Sequence, residues 1–293
     1  MCGIVGLFLK NPALEPELGR LSAAMLEIMS ERGPDSAGFA VYGAAAPEAV
    51  KLTLRLPPGT DADAIAAALS AGLVRRDDHA VLTLPAAQEA EARAWLAAHH
   101  PQVGIVAAGQ RMELYKGVGL PDAVSARYGL PAMAGTHAIG HTRMATESAV
   151  TTQGAHPFST GPDQCLVHNG SLSNHNAVRR TLAREGLAFE TDNDSEVAAG
   201  YLTWRMRQGA TLGQALEAAV ADLDGFYTFV VGTETGFGVL RDPIACKPAV
   251  MAETDDYVAF GSEYRALVPL PGIEVARLWE PSPGQVYFWD RAA

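Results

Sequence analysis

An α+β sandwich is the fold class that this 293-residue chain predicts, and two observations carry the prediction. Short apolar strand candidates stand at both ends of the chain and helix candidates cluster between them, which suits packed sheets better than a doubly wound fold. In addition, no Gly-x-Gly-x-x-Gly follows a strand and no Walker loop occurs, so a cradle for nucleotide phosphates has no support.

The first strand runs from Ile4 to Leu9. Leu14, Leu18, Leu21, Met25 and Ile28 then recur at helical spacing until Gly33-Pro34 stop the helix. Phe39 to Tyr42 reads as a short strand. From residue 44 to 135 the texture changes: an Ala-rich helix over 61–73, a strand over 80–84, a helix over 86–99 and a strand over 103–108. Pro57-Pro58-Gly59 and Pro131 lie near its ends, and the alternation predicts an inserted α/β subdomain. Arg75-Arg76-Asp77-Asp78 reads as a solvated turn, and His99-His100 before Pro101 as a helix end with cations near its negative pole. Strands follow over 136–141, 164–168, 226–232, 237–240 and 257–261, with helices over 174–185, 195–207 and 212–223.

Composition narrows the class. A net charge of −11 argues against nucleic acid or an anionic membrane surface as partner. Cys2, Cys165 and Cys246 are an odd, widely spaced set with no C-x-x-C pair, which excludes a zinc ribbon and disfavours a disulfide framework. No apolar run approaches 18 residues and the N-terminus lacks the pattern of a signal peptide, so the cytoplasm is the expected location. Five histidines, His137, His141, His156, His168 and His175, crowd into 39 positions, but their spacing matches no metal-ligand motif and no metal is expected. Cys165 and Cys246 read as buried and inert.

The chain opens Met1-Cys2-Gly3-Ile4. Removal of Met1, favoured by the small residue after it, would leave Cys2 with a nucleophilic sulfur and a free α-amine. That is a nucleophile and its base on one residue. An α-amine titrates at about 7.7–8.0 and a thiol near 8.5, so proton transfer between them is nearly thermoneutral. Other polar clusters supply what amide chemistry needs. Gly140-His141-Thr142-Arg143 ends a strand with a cation that can fork onto a carboxylate. His168-Asn169-Gly170 ends another with a side-chain amide and an unhindered N–H, the two donors an oxyanion requires. Arg32-Gly33-Pro34-Asp35 is a turn holding two opposite charges, and Asp192-Asn193-Asp194-Ser195-Glu196 opens a helix with acids, some of them explained by capping.

Taken together and in this order, these motifs resemble the class II glutamine amidotransferases, which are N-terminal-nucleophile hydrolases. The resemblance covers residues 2–42 and 140–285 and extends to Arg241-Asp242, Lys247-Pro248 and Phe260-Gly261-Ser262-Glu263. Within the class, the chain is most similar to amidotransferase subunits of glutamate-synthase-like and N-methylglutamate-synthase enzymes. The resemblance implies a four-layer αββα sandwich and roles residue by residue. Cys2 would attack the carboxamide of L-glutamine and form a γ-glutamyl thioester; Asn169 and Gly170 would hold the oxyanion. Arg143 would bind the α-carboxylate of glutamine and Asp194 its α-ammonium, with Arg32, Asp35 and His141 in support. Residues 144–155 would be a lid, with Met144 where several relatives carry an aromatic. No cofactor is expected in this chain. The ammonia would pass to a separate synthase subunit, itself carrying a flavin, in a hetero-oligomer, and 44–135 would be the docking surface. Two rival readings stand beside it: a free-standing γ-glutamyl amidohydrolase, which would use the same residues, and a glutamine-sensing subunit without catalysis, which would need Arg143 and Asp194 but not Cys2.

Overall fold

The computed structural model describes residues 2–145 and 149–291. In chain order its first half forms β1 (Gly3–Leu9), α1 (Leu18–Ile28), β2 (Ser36–Tyr42), β3 (Ala49–Arg55), α2 (Ala62–Ala68) and β4 (Gly72–Arg76). There follow β5 (His79–Pro85), α3 (Glu89–His99), β6 (Gly104–Gly109), β7 (Met112–Val118), α4 (Pro121–Tyr128) and β8 (His137–Arg143). Next come β9 (Phe158–Gly161), β10 (Gln164–Leu172), α5 (His175–Arg184), α6 (Asp194–Arg207) and α7 (Leu212–Asp222). The chain closes with β11 (Gly225–Gly232), β12 (Gly236–Arg241), β13 (Val250–Glu253), β14 (Tyr257–Gly261), β15 (Arg277–Trp279) and β16 (Val286–Asp290).

The strands build a seven-stranded sheet, β15-β13-β14-β1-β8-β2-β7, and a five-stranded sheet, β16-β12-β11-β10-β9. β1 lies between β14 and β8, antiparallel to both, and is buried along its whole length. That explains its unbroken apolar run, because a strand covered on both faces has no position for a polar residue. Its side chains divide by the two-residue period of a strand. Ile4 and Phe8 pack between the sheets with Val167, Val230 and Phe237, whereas Val5, Leu7 and Leu9 pack against Leu21, Met25 and Leu26 of α1. On the far side, Leu166 and Phe229 meet Val197, Leu202 and Leu216 of α6 and α7. The layers therefore run helix, sheet, sheet, helix, the αββα sandwich expected from the sequence.

Several boundaries differ from expectation for identifiable reasons. The first α-helix starts at Leu18 rather than near Leu14: a 3-10 turn precedes it, with Pro16, which lacks an N–H, inside that turn. β10 does not end at His168 but continues through Asn169 and Gly170 to Leu172, paired throughout with β11. Arg75 and Arg76 belong to β4, so only Asp77 and Asp78 form the turn. Seven strands, β3, β4, β7, β9, β13, β15 and β16, lie where none is expected from sequence. The range 44–135 is also not one unit. Residues 49–109 carry a separate sheet, β4-β5-β3-β6, antiparallel throughout, with a core of Leu52, Leu54, Ile65, Leu82 and Leu96. In contrast, β7 pairs with β2 in the large sheet, and Val124 and Tyr128 of α4 join the α1 core. No described helix is long and apolar enough to cross a membrane.

Candidate active site

Cys2 is partly buried and stands just before β1, whose ladder with β8 begins at Gly3 opposite Thr142. The backbone around it is held by side chains. The Cys2 carbonyl accepts from Arg32 Nε at 3.1 Å and from Asn169 Nδ2 at 3.2 Å. The next two amides are anchored as well: Gly3 N–H donates to Thr142 Oγ1 at 3.2 Å and Ile4 N–H to Ser262 Oγ at 2.9 Å. Four distant parts of the chain thus hold the backbone that carries this one sulfur. Arg32 is itself fixed by Glu263, its Nη1 lying 2.5 Å from Oε1. Burial alone would raise the Glu263 carboxyl, but hydrogen bonds from Arg32 and Arg265 outweigh it and hold the group below the usual range.

Asn169 comes from β10 on the opposite sheet and is buried. Its amide nitrogen carries two protons, so one can hold the Cys2 carbonyl while the other remains for a reacting oxygen. Gly170, next to it, has φ of +148°, and a Cβ there would lie 2.0 Å from the Phe226 carbonyl oxygen. Only glycine permits that backbone.

The peptide between His168 and Asn169 is oriented by His141. On β8, His141 donates from Nε2 to the His168 carbonyl at 2.9 Å; burial pushes its pKa down to about 3, so it is neutral. The His168 ring turns the other way, with Nδ1 2.8 Å from Ser195 Oγ, and that hydroxyl donates to Asp194 Oδ1 at 3.3 Å. Burial pulls the His168 pKa down against the upward pull of Asp194. Asp194 opens α6, capped by the Asn193 side chain, and its Oδ2 accepts the Leu172 N–H at 2.9 Å. The carboxylate is therefore tied to the strand that carries Asn169 and Gly170.

Arg143 and Asp35 form a third group. Arg143, buried at the end of β8, donates from Nη1 to the Ala149 carbonyl at 3.4 Å. Its backbone carbonyl accepts the Asp35 N–H at 3.1 Å, and Asp35 Oδ2 accepts the Ala145 N–H at 2.7 Å. Gly33 allows this approach, since a Cβ there would meet Arg143 backbone atoms at 2.6 Å. Asp35 thus anchors the start of the 144–155 loop, a more specific place than general support of the nucleophile. Residues 146–148 of that loop, and Met1, lie outside the described residues.

The structure adds residues that sequence reasoning did not single out. Thr142, Ser262 and Glu263 lie inside quoted motifs, but a motif does not say which atom meets Cys2. Glu196, in the acidic run, turns back to accept from the amides of Glu190 and Thr191, a local structural use. His156 is buried and stacks on His141, with ring centroids 4.0 Å apart. Among the described residues no three His, Cys, Asp or Glu side chains converge as a metal site. Cys165 is buried, its thiol pushed up to about 12 by burial; Cys246, expected to be buried, is exposed because it follows the turn after β12.

Comparison with known proteins points to one family. Residues 141–269 match the family model described as a glutamine amidotransferase domain. The chain is 63% identical over 296 residues to the glutamine amidotransferase-like protein GlxB of Rhizobium meliloti, covering 99% of this chain and 98% of that one. A relative from Methanothermobacter thermautotrophicus is 33% identical over 310 residues and is covered completely. Among solved structures, the glutamine phosphoribosylpyrophosphate amidotransferase of B. subtilis superposes with a TM-score of 0.64 at 21% identity. That alignment takes in 99% of this chain and 47% of the other, so the chain spans about half the length of that enzyme.

Proposed function

Because the chain belongs to the glutamine amidotransferase family, we propose that Cys2 is the nucleophile that releases ammonia from L-glutamine and that the ammonia passes to a separate synthase subunit. The observation that supports this is the fixing of Cys2 from every side. A partly buried cysteine at the end of a central strand has no structural need of Arg32, Asn169, Thr142 and Ser262 converging on its backbone and that of the next two residues.

With Met1 removed, the α-amine of Cys2 takes the thiol proton as sulfur attacks the carboxamide carbon of glutamine. The free N–H of Asn169 Nδ2 and the N–H of Gly170 meet the oxyanion, donors that contribute roughly 3–4 kcal/mol each in such sites. The C–N bond breaks as the amine returns the proton to the leaving nitrogen, giving ammonia and a γ-glutamyl thioester. Water then adds to the thioester carbonyl, and glutamate leaves as the thiol regains its proton. Arg143 pairs with the α-carboxylate of glutamine and Asp194 with its α-ammonium, which selects the amino acid over a simple amide. No step needs a cofactor in this chain.

At neutral pH ammonia in water is mostly ammonium, a poor nucleophile, so delivery without loss favours a docked acceptor. We assign that acceptor to a flavin-carrying synthase of the glutamate-synthase-like or N-methylglutamate-synthase type, in a cytoplasmic hetero-oligomer. The test is glutaminase activity of the copurified complex against that of the separated chain, with intact mass recorded for each. A severalfold higher rate in the complex, on a chain lacking Met1, supports the proposal. Equal rates at saturating glutamine make the free-standing amidohydrolase the better reading, and full activity with Met1 retained rules out the α-amine as base.

A further inference from the structure

We propose that Lys116 is a positioning residue for the loop over glutamine, holding its C-terminal limb at 153–157. The inference deepens the reading of 144–155 as a lid and rests on it.

Lys116 lies on β7, opposite Gly38 of β2. Met112 and Leu114 of the same strand point into the core between the sheets, and strand alternation sends Lys116 the same way. It is 6% exposed. Its Nζ donates to three backbone carbonyls, Ala155 at 2.9 Å, Gln153 at 3.2 Å and Pro157 at 3.3 Å. It also stands 4.5 Å from the centre of the Phe158 ring. All three ammonium protons are used, each on an alternate residue of one short segment. The loop is curled around the cation.

Lys116 is an expensive choice for stability alone. Among the described residues no carboxylate pairs with it within 4.0 Å, and burial pushes its pKa down to about 8 although Glu196 and Glu190 pull it up. A desolvated charge without an ion partner is a poor stabiliser compared with an apolar side chain of the same size, and such charges are better understood as fixing one arrangement among several. Here the arrangement is that of the loop. Gly154, between two of the held carbonyls, faces the Arg143 guanidinium, where a Cβ would lie 3.3 Å from Nη1. At the other end of the loop Asp35 holds Ala145. The segment that would close over glutamine is therefore pinned at both ends, by a carboxylate on one side and an ammonium on the other.

Lys116 and the loop it holds also face residues 49–109 across an open cleft. A cleft of about 490 Å³ separates Glu89, Arg93 and Ile105 of that unit from Glu190 of the main body, and Lys116 and Gln153 lie on its wall. β7 is the strand by which the chain returns from β6 of the small sheet to the large one.

The test compares Lys116→Met, which keeps length and removes every donor, with Lys116→Gln, which keeps two. The expected result is a glutamine KM at least tenfold higher in Lys116→Met with kcat within about threefold, partial recovery in Lys116→Gln, and faster hydrogen exchange at amides 149–156. A lysine that merely stabilised the fold would lower the melting temperature without this KM-against-kcat split. If neither variant folds, the wild-type protein decides: alkylating Cys2 with the glutamine analogue 6-diazo-5-oxo-L-norleucine should slow exchange at amides 149–156. Unchanged exchange there, or a Lys116→Met KM within twofold of wild type, overturns the role of Lys116 and leaves the amidotransferase chemistry intact. A wild-type chain that neither hydrolyses glutamine nor reacts with the analogue overturns both.

Discussion

Replacing Arg32 with methionine separates the positioning of the nucleophile from the binding of substrate. The side chain keeps its length and loses two hydrogen bonds, Nε to the Cys2 carbonyl at 3.1 Å and Nη1 to Glu263 at 2.5 Å. A hydrogen bond from a charged donor contributes about 1.5–3 kcal/mol. The ion pair adds about 0.5–1 kcal/mol, because Glu263 is 30% exposed and keeps its contact with Arg265. Stability should therefore fall by roughly 2–4 kcal/mol, a drop in Tm of roughly 3–7 °C for a chain of this size. Asn169 still holds the Cys2 carbonyl, so the sulfur is loosened rather than lost. A displacement of about 1 Å costs on the order of 100-fold in rate, so kcat should fall about 30–100-fold, with KM within threefold. Initial rates of glutamate release and a thermal melt measure both. A kcat within threefold of wild type despite a lower Tm would show that Arg32 serves the fold alone. A tenfold rise in KM at unchanged kcat would place Arg32 in the glutamine clamp. Glu263→Gln is the control: it leaves the bond to Cys2 and should change kcat by less than about fivefold.

Three further outcomes are expected. Arg143→Ala and Asp194→Asn should each raise the glutamine KM at least tenfold; Asp194→Asn should lose little stability, since its amide oxygen can still accept from Leu172 N–H, and an unchanged KM in both variants would remove the clamp. Burial holds His137 and His141 down at about 3 and His156 well below its ordinary value, so the unfolded chain takes up protons near pH 6.5 that the folded chain refuses. Stability should then fall as pH drops below about 6.5, by up to roughly 1.4 kcal/mol per unit for each histidine. Denaturant midpoints measure the slope; His137→Gln, which lies at the far end of β8, should reduce it, and a flat profile from pH 7 to 5 contradicts the buried neutral state. Iodoacetamide should label Cys2 and Cys246 in the native protein but reach Cys165 only after denaturation, with glutamine slowing the reaction at Cys2. Labelling of all three native thiols would refute the burial of Cys165.

The sequence by itself determined the class of fold and the motifs from which the candidate site is built. Cys2 before an apolar run, His168-Asn169-Gly170, and the acids opening α6 are local patterns, and the strand and helix periods that carry them are local as well. Local patterning is less informative where partners are remote. β3 alternates cleanly, Val50, Leu52 and Leu54 against Lys51, Thr53 and Arg55, and so was legible. β7 alternates only partly, because Lys116 stands on the face of Met112 and Leu114, and its pairing with β3 through Glu113 and Lys51 at 3.1 Å leaves no mark in either segment alone. The same holds for the site. The motifs locate Arg32 and Glu263, but their contact joins residues 231 positions apart. His141 is legible as a motif residue, yet its hold on the His168 carbonyl exists only because two sheets face each other. Lys116 belongs to no motif; its three carbonyl partners lie 37 to 41 positions away. The identity of each candidate group follows from its own side chain and so is written in the sequence. The orientation of that group depends on hydrogen bonds from segments brought together by packing, and packing of this range is settled only when the whole chain has folded.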